Sequence, residues 1–367
     1  MQVRKTKLAK HAGKKERLFS GLILFCVFAI SGCAGGGRDT ISPLPESGFE
    51  NQEEISLITN SETGSLHLQT GDVALSLRAW NASAPAAALI ALHGMNDYGH
   101  AFEAAGTYWA EHGITTYAYD QRGFGQLGEG EVSITKNWPG TKAFGDDLRS
   151  MIVAVKSRHP GLPVYVLGHS MGAAVVMTAN AEQFLSVDGI ILASPAIWGG
   201  RRMPLLYRMT LNLAHFFAPG KSLSGKRARR QATDNIPVLR GMQADSLVIK
   251  ETPIRAIKGI VSLMGDANQA SGNQQGNILF VYGCRDEIIP VKAMAQVGDR
   301  IESQNPEIER IVYPEGWHLL FRDLQAETVW EDILDWIGKS NTGQKAIAQN
   351  FSAGETGTGE AGNCDGL

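Results

Sequence analysis

Between residues 61 and 339, short apolar runs alternate with longer amphipathic stretches. Leu66-His67-Leu68 and Val73 to Leu77, parted by Thr70-Gly71-Asp72, read as a β-hairpin. The runs 88–92, 115–119, 164–167, 190–193, 278–282 and 308–313 are each four to six residues long, most of them with little polar alternation. Such continuous runs suit strands covered on both faces. Between them, Phe144, Leu148, Met151, Ile152 and Val155 fall at helical spacing, and Val329 to Ile337 forms a closing amphipathic helix. The alternation predicts the α/β class: a mostly parallel sheet with helices on both faces.

The rhythm breaks in three places. Residues 198–276 carry apolar residues (Leu205, Leu206, Met209, Leu213, Phe216, Phe217) and then a basic run, Lys226 to Arg230, between two strands of the sheet. This segment is expected to form a helical cap over the strand ends, its apolar residues serving either as the cap's own core or as a wall for an acyl chain or a lipid surface. Residues 340–367 are rich in Gly, Thr, Asn, Gln and Ala and read as a disordered tail. At the other end, a basic region (Arg4 to Arg17) precedes about 13 apolar residues, Leu18 to Ile30, too few to span a bilayer comfortably. That stretch ends in Ile30-Ser31-Gly32-Cys33, which resembles the lipobox of bacterial lipoproteins. The resemblance implies a signal peptide over 1–32 and lipid attachment at Cys33, and the composition that follows, Gly35 to Gly37, Pro43, Pro45 and several Glu, reads as a flexible tether over 33–60. With Ala34 rather than aspartate next, the resemblance also implies an outer-membrane address in a bacterial cell envelope. A lipidated chain is anchored to the membrane rather than spanning it.

The charge balance narrows the partners. The full chain has 34 basic and 37 acidic side chains. Without residues 1–32 it keeps 27 and 36, a net charge of about −9, which disfavours nucleic acid. Of four cysteines, Cys26 and Cys33 belong to the leader region. No metal-ligand spacing appears, so neither metal nor cofactor is expected. Cys284, at the end of an apolar run, reads best as a buried thiol; a bridge to Cys364 is open in an oxidising compartment.

Gly168-His169-Ser170-Met171-Gly172 sits between an apolar strand and a helix-like segment. Strand, Gly-x-Ser-x-Gly, helix is the layout of a nucleophile elbow. In a chain with 42 glycines the five-residue pattern is weak by itself, and its neighbours strengthen it. Other chemistry-bearing residues follow other strands: His93-Gly94-Met95, Asp120-Gln121-Arg122-Gly123, Cys284-Arg285-Asp286 and Glu315-Gly316-Trp317-His318. All would gather at the carboxyl edge of one parallel sheet, where open α/β sheets bind ligands.

Taken together, these motifs resemble the α/β-hydrolases, nearest the monoglyceride lipase and lysophospholipase-like branch, over about residues 65–338. The resemblance implies the α/β-hydrolase fold with an inserted helical cap, and roles for individual residues. Ser170 is the expected nucleophile, His318 the base, Asp286 its partner, and the backbone N–H groups of Met95 and Met171 the oxyanion hole. Asp120 is the nearest rival acid. His93 is expected to be structural, His169 to point away from the nucleophile, and Asp120 to Gly123 to be a loop brace, with Arg122 the alternative as a substrate anchor. The family's Glu-His after His-Gly is missing: here the loop reads Met95-Asn96-Asp97-Tyr98-Gly99-His100, so its substrate contacts do not transfer. The implied activity is hydrolysis of carboxylic esters, monoacylglycerols or lysophospholipids, through an acyl-enzyme. The alternatives are a proline-aminopeptidase-like peptidase or acyltransferase on the same fold, or a non-catalytic ligand-binding lipoprotein.

Overall fold

The computed structural model describes residues 55–59, 65–71, 73–127, 131–132, 138–225, 230–340 and 364. The expected signal peptide, the expected lipid-attachment residue Cys33 and most of the expected tether and tail lie outside them. The elements run β1 (Ile55–Thr59), β2 (Leu66–Thr70), β3 (Val73–Trp80), β4 (Ala87–Leu92), α1 (Glu103–Glu111), β5 (Ile114–Tyr119), β6 (Gln126–Leu127), β7 (Glu131–Val132), α2 (Thr141–Arg158), β8 (Val164–His169), α3 (Met171–Glu182) and β9 (Gly189–Ala193). Then come α4 (Leu205–Phe217), β10 (Ser222–Ser224), α5 (Ile236–Ala244), β11 (Glu251–Pro253), α6 (Ile254–Ala270), β12 (Ile278–Gly283), α7 (Val291–Glu302), β13 (Ile308–Tyr313) and α8 (Ala326–Ser340).

The main sheet has the order β1-β2-β3-β5-β4-β8-β9-β12-β13, with β6 and β7 attached beside β3. From β5 to β13 all neighbours are parallel; β1, β2 and β3 form an antiparallel extension. Every residue of β4, β8, β9 and β12 is buried, which is why their sequences are near-continuous apolar runs. Alternate residues serve opposite faces. Ala88, Ile90 and Leu92 of β4 pack in a core with α2, α3, α6 and α7, while Ala87, Leu89 and Ala91 pack in a second core with α1 and α8. The fold is the expected mostly parallel sheet with helices on both faces.

The structure alters four boundaries or pairings. Ile55–Thr59, within the expected tether, pairs with β2 as an edge strand, and Ile55 and Leu57 pack against the core. Their apolar alternation gives the strand one face to bury. The expected cap segment, residues 198–276, joins β9 to β12, but its last helix is shared with the sheet layers. Ile260, Leu263 and Ala267 of α6 join the core that holds α3, so the part standing free of the layers is narrower. By contrast α4 and α5 contain no buried residue. Finally, Cys284 is bonded to Cys364 in a disulfide. This corrects the free-thiol reading and ties one residue of the expected tail to the body. Cysteines 80 apart in sequence give no pairing signal without the fold.

Candidate active site

Ser170 is the residue between β8 and α3, held at φ 52° and ψ −110°. Positive φ is unfavourable for a side chain with a Cβ and persists when its surroundings enforce it. Three backbone bonds do so: Ser170 donates to the Ala193 carbonyl (2.9 Å), and its own carbonyl accepts from Ala174 (3.1 Å) and Ala196 (3.0 Å). A Cβ at Gly172 would lie 2.3 Å from the Leu92 carbonyl oxygen, so glycine is what lets α3 start this close to β4. The turn presents the Ser170 side chain at the end of β8, beside the loop that leaves β4: a Cβ on Gly94 would sit 3.3 Å from that of Ser170.

Asp286 and His318 arrive from the ends of β12 and β13, which are paired in parallel. Their loops are stitched by Cys284 N–H to the Tyr313 carbonyl and Arg285 N–H to the Gly316 carbonyl, both 2.9 Å. A Cβ at Gly283 would collide with Gly316 at 2.1 Å, so this crossing also depends on a glycine. The outcome is a continuous chain. His318 Nδ1 lies 2.7 Å from Asp286 Oδ2, and His318 Nε2 lies 3.0 Å from Ser170 Oγ. All three residues are buried. The other Asp286 oxygen accepts N–H bonds from Ile288 (2.7 Å) and Ile289 (2.8 Å), which fix the carboxylate. An ionised carboxylate accepts, so Nδ1 carries the imidazole proton and Nε2 is free to accept from the serine hydroxyl.

The remaining polar groups brace this chain. His169 Nε2 donates to the His318 carbonyl at 2.8 Å. Burial, followed by the nearby His318, pushes His169 down to about 3, so it stays neutral. Asp323 accepts from Trp317 N–H, the residue before His318, at 3.1 Å; burial pushes this carboxyl up to about 6. His93 is buried and bonded to Gln121 and Gly94, the structural role expected of it. The rival acid, Asp120, is engaged by Arg78 and by the N–H groups of Gly99 and Gln126. Arg122 forks onto Asp147 at 2.6 and 2.7 Å, so it is a brace and not a free anchor.

Met171 is the first residue of α3, whose leading N–H groups have no partner within the helix, and Met95 follows Gly94 in the loop beside Ser170. Sequence reasoning missed the bonds around that loop: Asp97 with Arg322, Tyr98 with Asp245, and Asn96 with Thr252. The partners are 225, 147 and 156 residues apart, so no local pattern could announce them. Among the described residues no cluster of His, Cys, Asp or Glu could hold a metal ion.

Comparison with known proteins identifies the family and the fold. The profile of the family described as "Serine aminopeptidase, S33" matches residues 83–325. The monoacylglycerol lipase of Mycolicibacterium smegmatis is 24% identical over 254 residues, covering 69% of this chain and 88% of the relative. The monoglyceride lipase of Rattus norvegicus is 24% identical over 269 residues, covering 72% and 86%. Among solved structures, a thermostable carboxyl esterase from Bacillus coagulans superposes with a TM-score of 0.64 at 17% identity, covering 75% of this chain and 97% of that one.

Proposed function

Because the chain belongs to the serine aminopeptidase S33 family of α/β-hydrolases, we propose that it is a serine hydrolase of carboxylic esters whose substrates are monoacylglycerols or lysophospholipids. The observation that carries this reading is the hydrogen-bonded chain Asp286–His318–Ser170. His318 takes the hydroxyl proton as Ser170 Oγ attacks the ester carbon, and Asp286 stabilises the imidazolium. The N–H groups of Met171 and Met95 receive the carbonyl oxygen as it becomes an oxyanion. His318 then hands the proton to the leaving alcohol. Water, deprotonated by the same imidazole, attacks the acyl-serine and releases the fatty acid. No step calls for a metal or cofactor.

Two observations favour an amphiphilic ester over a peptide. The relatives above are named for monoacylglycerol lipase activity. Moreover α4 exposes Leu205, Leu206, Met209, Leu213, Phe216 and Phe217 along one side, Phe216 being 78% exposed. A patch of this kind marks contact with lipid or another apolar surface. The aminopeptidase reading is favoured by the family's description, and requires an unpaired carboxylate to hold a substrate α-amine. Asp97 and Asp245, beside the Met95 loop, are engaged by Arg322 and Tyr98 instead.

Substrate choice is tested by assaying p-nitrophenyl esters of rising acyl length and 1-monooleoylglycerol beside aminoacyl amides. Turnover of the long esters and the glyceride, with amides inert, is expected; amide turnover without long-ester turnover would overturn the substrate assignment. The proposal includes the membrane: Cys33 carries lipid after removal of 1–32, holding the enzyme at the outer membrane where amphiphilic substrates reside.

A further inference from the structure

The stretch of cap from residue 231 to residue 252 reaches three loops, each time one residue beyond a residue of the site. Gln231 N–H donates to the carboxylate of Glu287, next to Asp286, at 2.9 Å. Ala232 accepts at its carbonyl from Leu319 N–H, next to His318, at 2.9 Å. Ile249 N–H donates to the carbonyl of Asn96, next to Met95, also at 2.9 Å.

The last contact is the most elaborate. Asn96 is held at φ 66° and sends its amide Nδ2 to Thr252 Oγ1 at 2.9 Å, and Thr252 is buried. Two residues on, the Tyr98 hydroxyl donates to Asp245 Oδ2 at 2.6 Å, while Leu247 N–H holds the other oxygen of Asp245 at 2.8 Å. Burial, and then Asp245, push the Tyr98 phenol upward, so it remains a donor across the working pH range. From below, Arg78 lies 4.7 Å from the Tyr98 ring centroid. Asn96 and Tyr98 lie in the very loop whose sequence departs from the family resemblance.

We infer that Asn96 and Tyr98 are positioning residues that clasp the cap segment 245–252 to the loop bearing Met95, so that the cap and the oxyanion hole move as one unit. The inference rests on the ester-hydrolase reading of Ser170, His318 and Asp286. If the segment 249–252 shifts, it draws on Asn96 through both its carbonyl and its side chain, and Met95 N–H lies one residue back along the chain, beyond the 95–96 peptide. A donor displaced from the developing oxyanion costs rate in the chemical step and leaves ground-state binding nearly untouched. Contact of a substrate with the cap thereby becomes a means of setting the catalytic geometry.

The test is a kinetic comparison of the full chain with Tyr98→Phe, Thr252→Val and their combination, and with Thr252→Ser as the conservative control. The substrate is p-nitrophenyl acetate, too short to engage an acyl wall, and active sites are titrated with a fluorophosphonate. Kcat per titrated site should fall about tenfold in the double variant, with KM within about twofold, and the fluorophosphonate rate constant should fall in parallel. Thr252→Ser should restore most of the loss. A folded double variant with wild-type kcat and labelling rate would overturn the inference, as would a rise in KM alone. Should the double variant not fold, Asp245→Asn, on a half-exposed side chain, is judged by the same two rates. Absence of labelling in the wild type would instead strike at the hydrolase reading itself.

Discussion

At residue 170 a strained backbone sets where the side chain stands, with its hydroxyl 3.0 Å from His318 Nε2. Positive φ there costs on the order of 1–3 kcal/mol, and the bonds to Ala193, Ala174 and Ala196 hold it in place. Ser170, Asp286 and His318 were legible in the sequence because each follows a recognisable strand by a few residues, and a parallel sheet carries all such positions to one edge. Asp97, Tyr98 and Asn96 were not legible as partners of Arg322, Asp245 and Thr252, since those pairings join segments that only the folded chain brings together, two from the cap and one from the loop after β13. The buried bracing groups also set a pH response. His169 is depressed to about 3 and His93 is lowered by burial, so stability from these histidines is present above about pH 6.5 and is lost as pH falls. Asp323, raised to about 6, acts in the opposite sense: its contribution is full below about pH 4 and is lost as pH rises through 6. Asp323→Asn removes that counterweight. The melting temperature of the variant should fall more steeply between pH 6 and 4 than that of the wild type; a parallel or shallower curve would contradict this assignment.

At the level of elements, period and length revealed the sheet strands and α8, whereas the environment of the insertion stayed hidden. The apolar spacing of α4 was visible, but a periodic face does not say what it meets. In the structure it meets solvent, while the apolar face of α6 is absorbed by the core beside α3. Strand β1 was missed because five residues of modest apolarity at an edge look like a linker until β2 offers them a partner. The exposed face of α4 lies in a segment unlike the rest of the chain. Residues 198–276 carry twelve Lys or Arg against four Asp or Glu, in a protein whose net charge is −3. Apolar side chains flanked by basic ones suit an anionic lipid surface. Cys33→Ser should therefore release the protein from the membrane fraction yet leave reversible adsorption to phosphatidylglycerol vesicles. Adding Phe216→Ser and Phe217→Ser should reduce that adsorption several-fold. Retention of the Cys33 variant in membranes washed with high salt would point to another attachment, and unchanged vesicle binding in the triple variant would exclude α4 as the contact.

For the whole molecule, the architecture explains why so few residues define the site. One sheet edge gathers loops from β4, β8, β12 and β13; helices cover both faces of the sheet; and the cap is hydrogen-bonded to the loops after β4, β12 and β13. The disulfide between Cys284 and Cys364 binds the distal end of the chain to the loop that supplies Asp286. The fold class followed from the alternation of apolar runs, whereas the order of strands in the sheet came only with the structure. What the alternation could not convey was the coupling of cap to site, which depends on single hydrogen bonds between distant segments. The central claim is that Ser170 is a nucleophile activated by His318. It is tested most directly by treating the folded protein with a fluorophosphonate and mapping the adduct by intact-mass and peptide mass spectrometry. One adduct per chain on the peptide containing Ser170, abolished by Ser170→Ala and slowed by orders of magnitude in His318→Ala, is the predicted result. A folded protein that takes up no label, or carries it at another residue, would contradict the account.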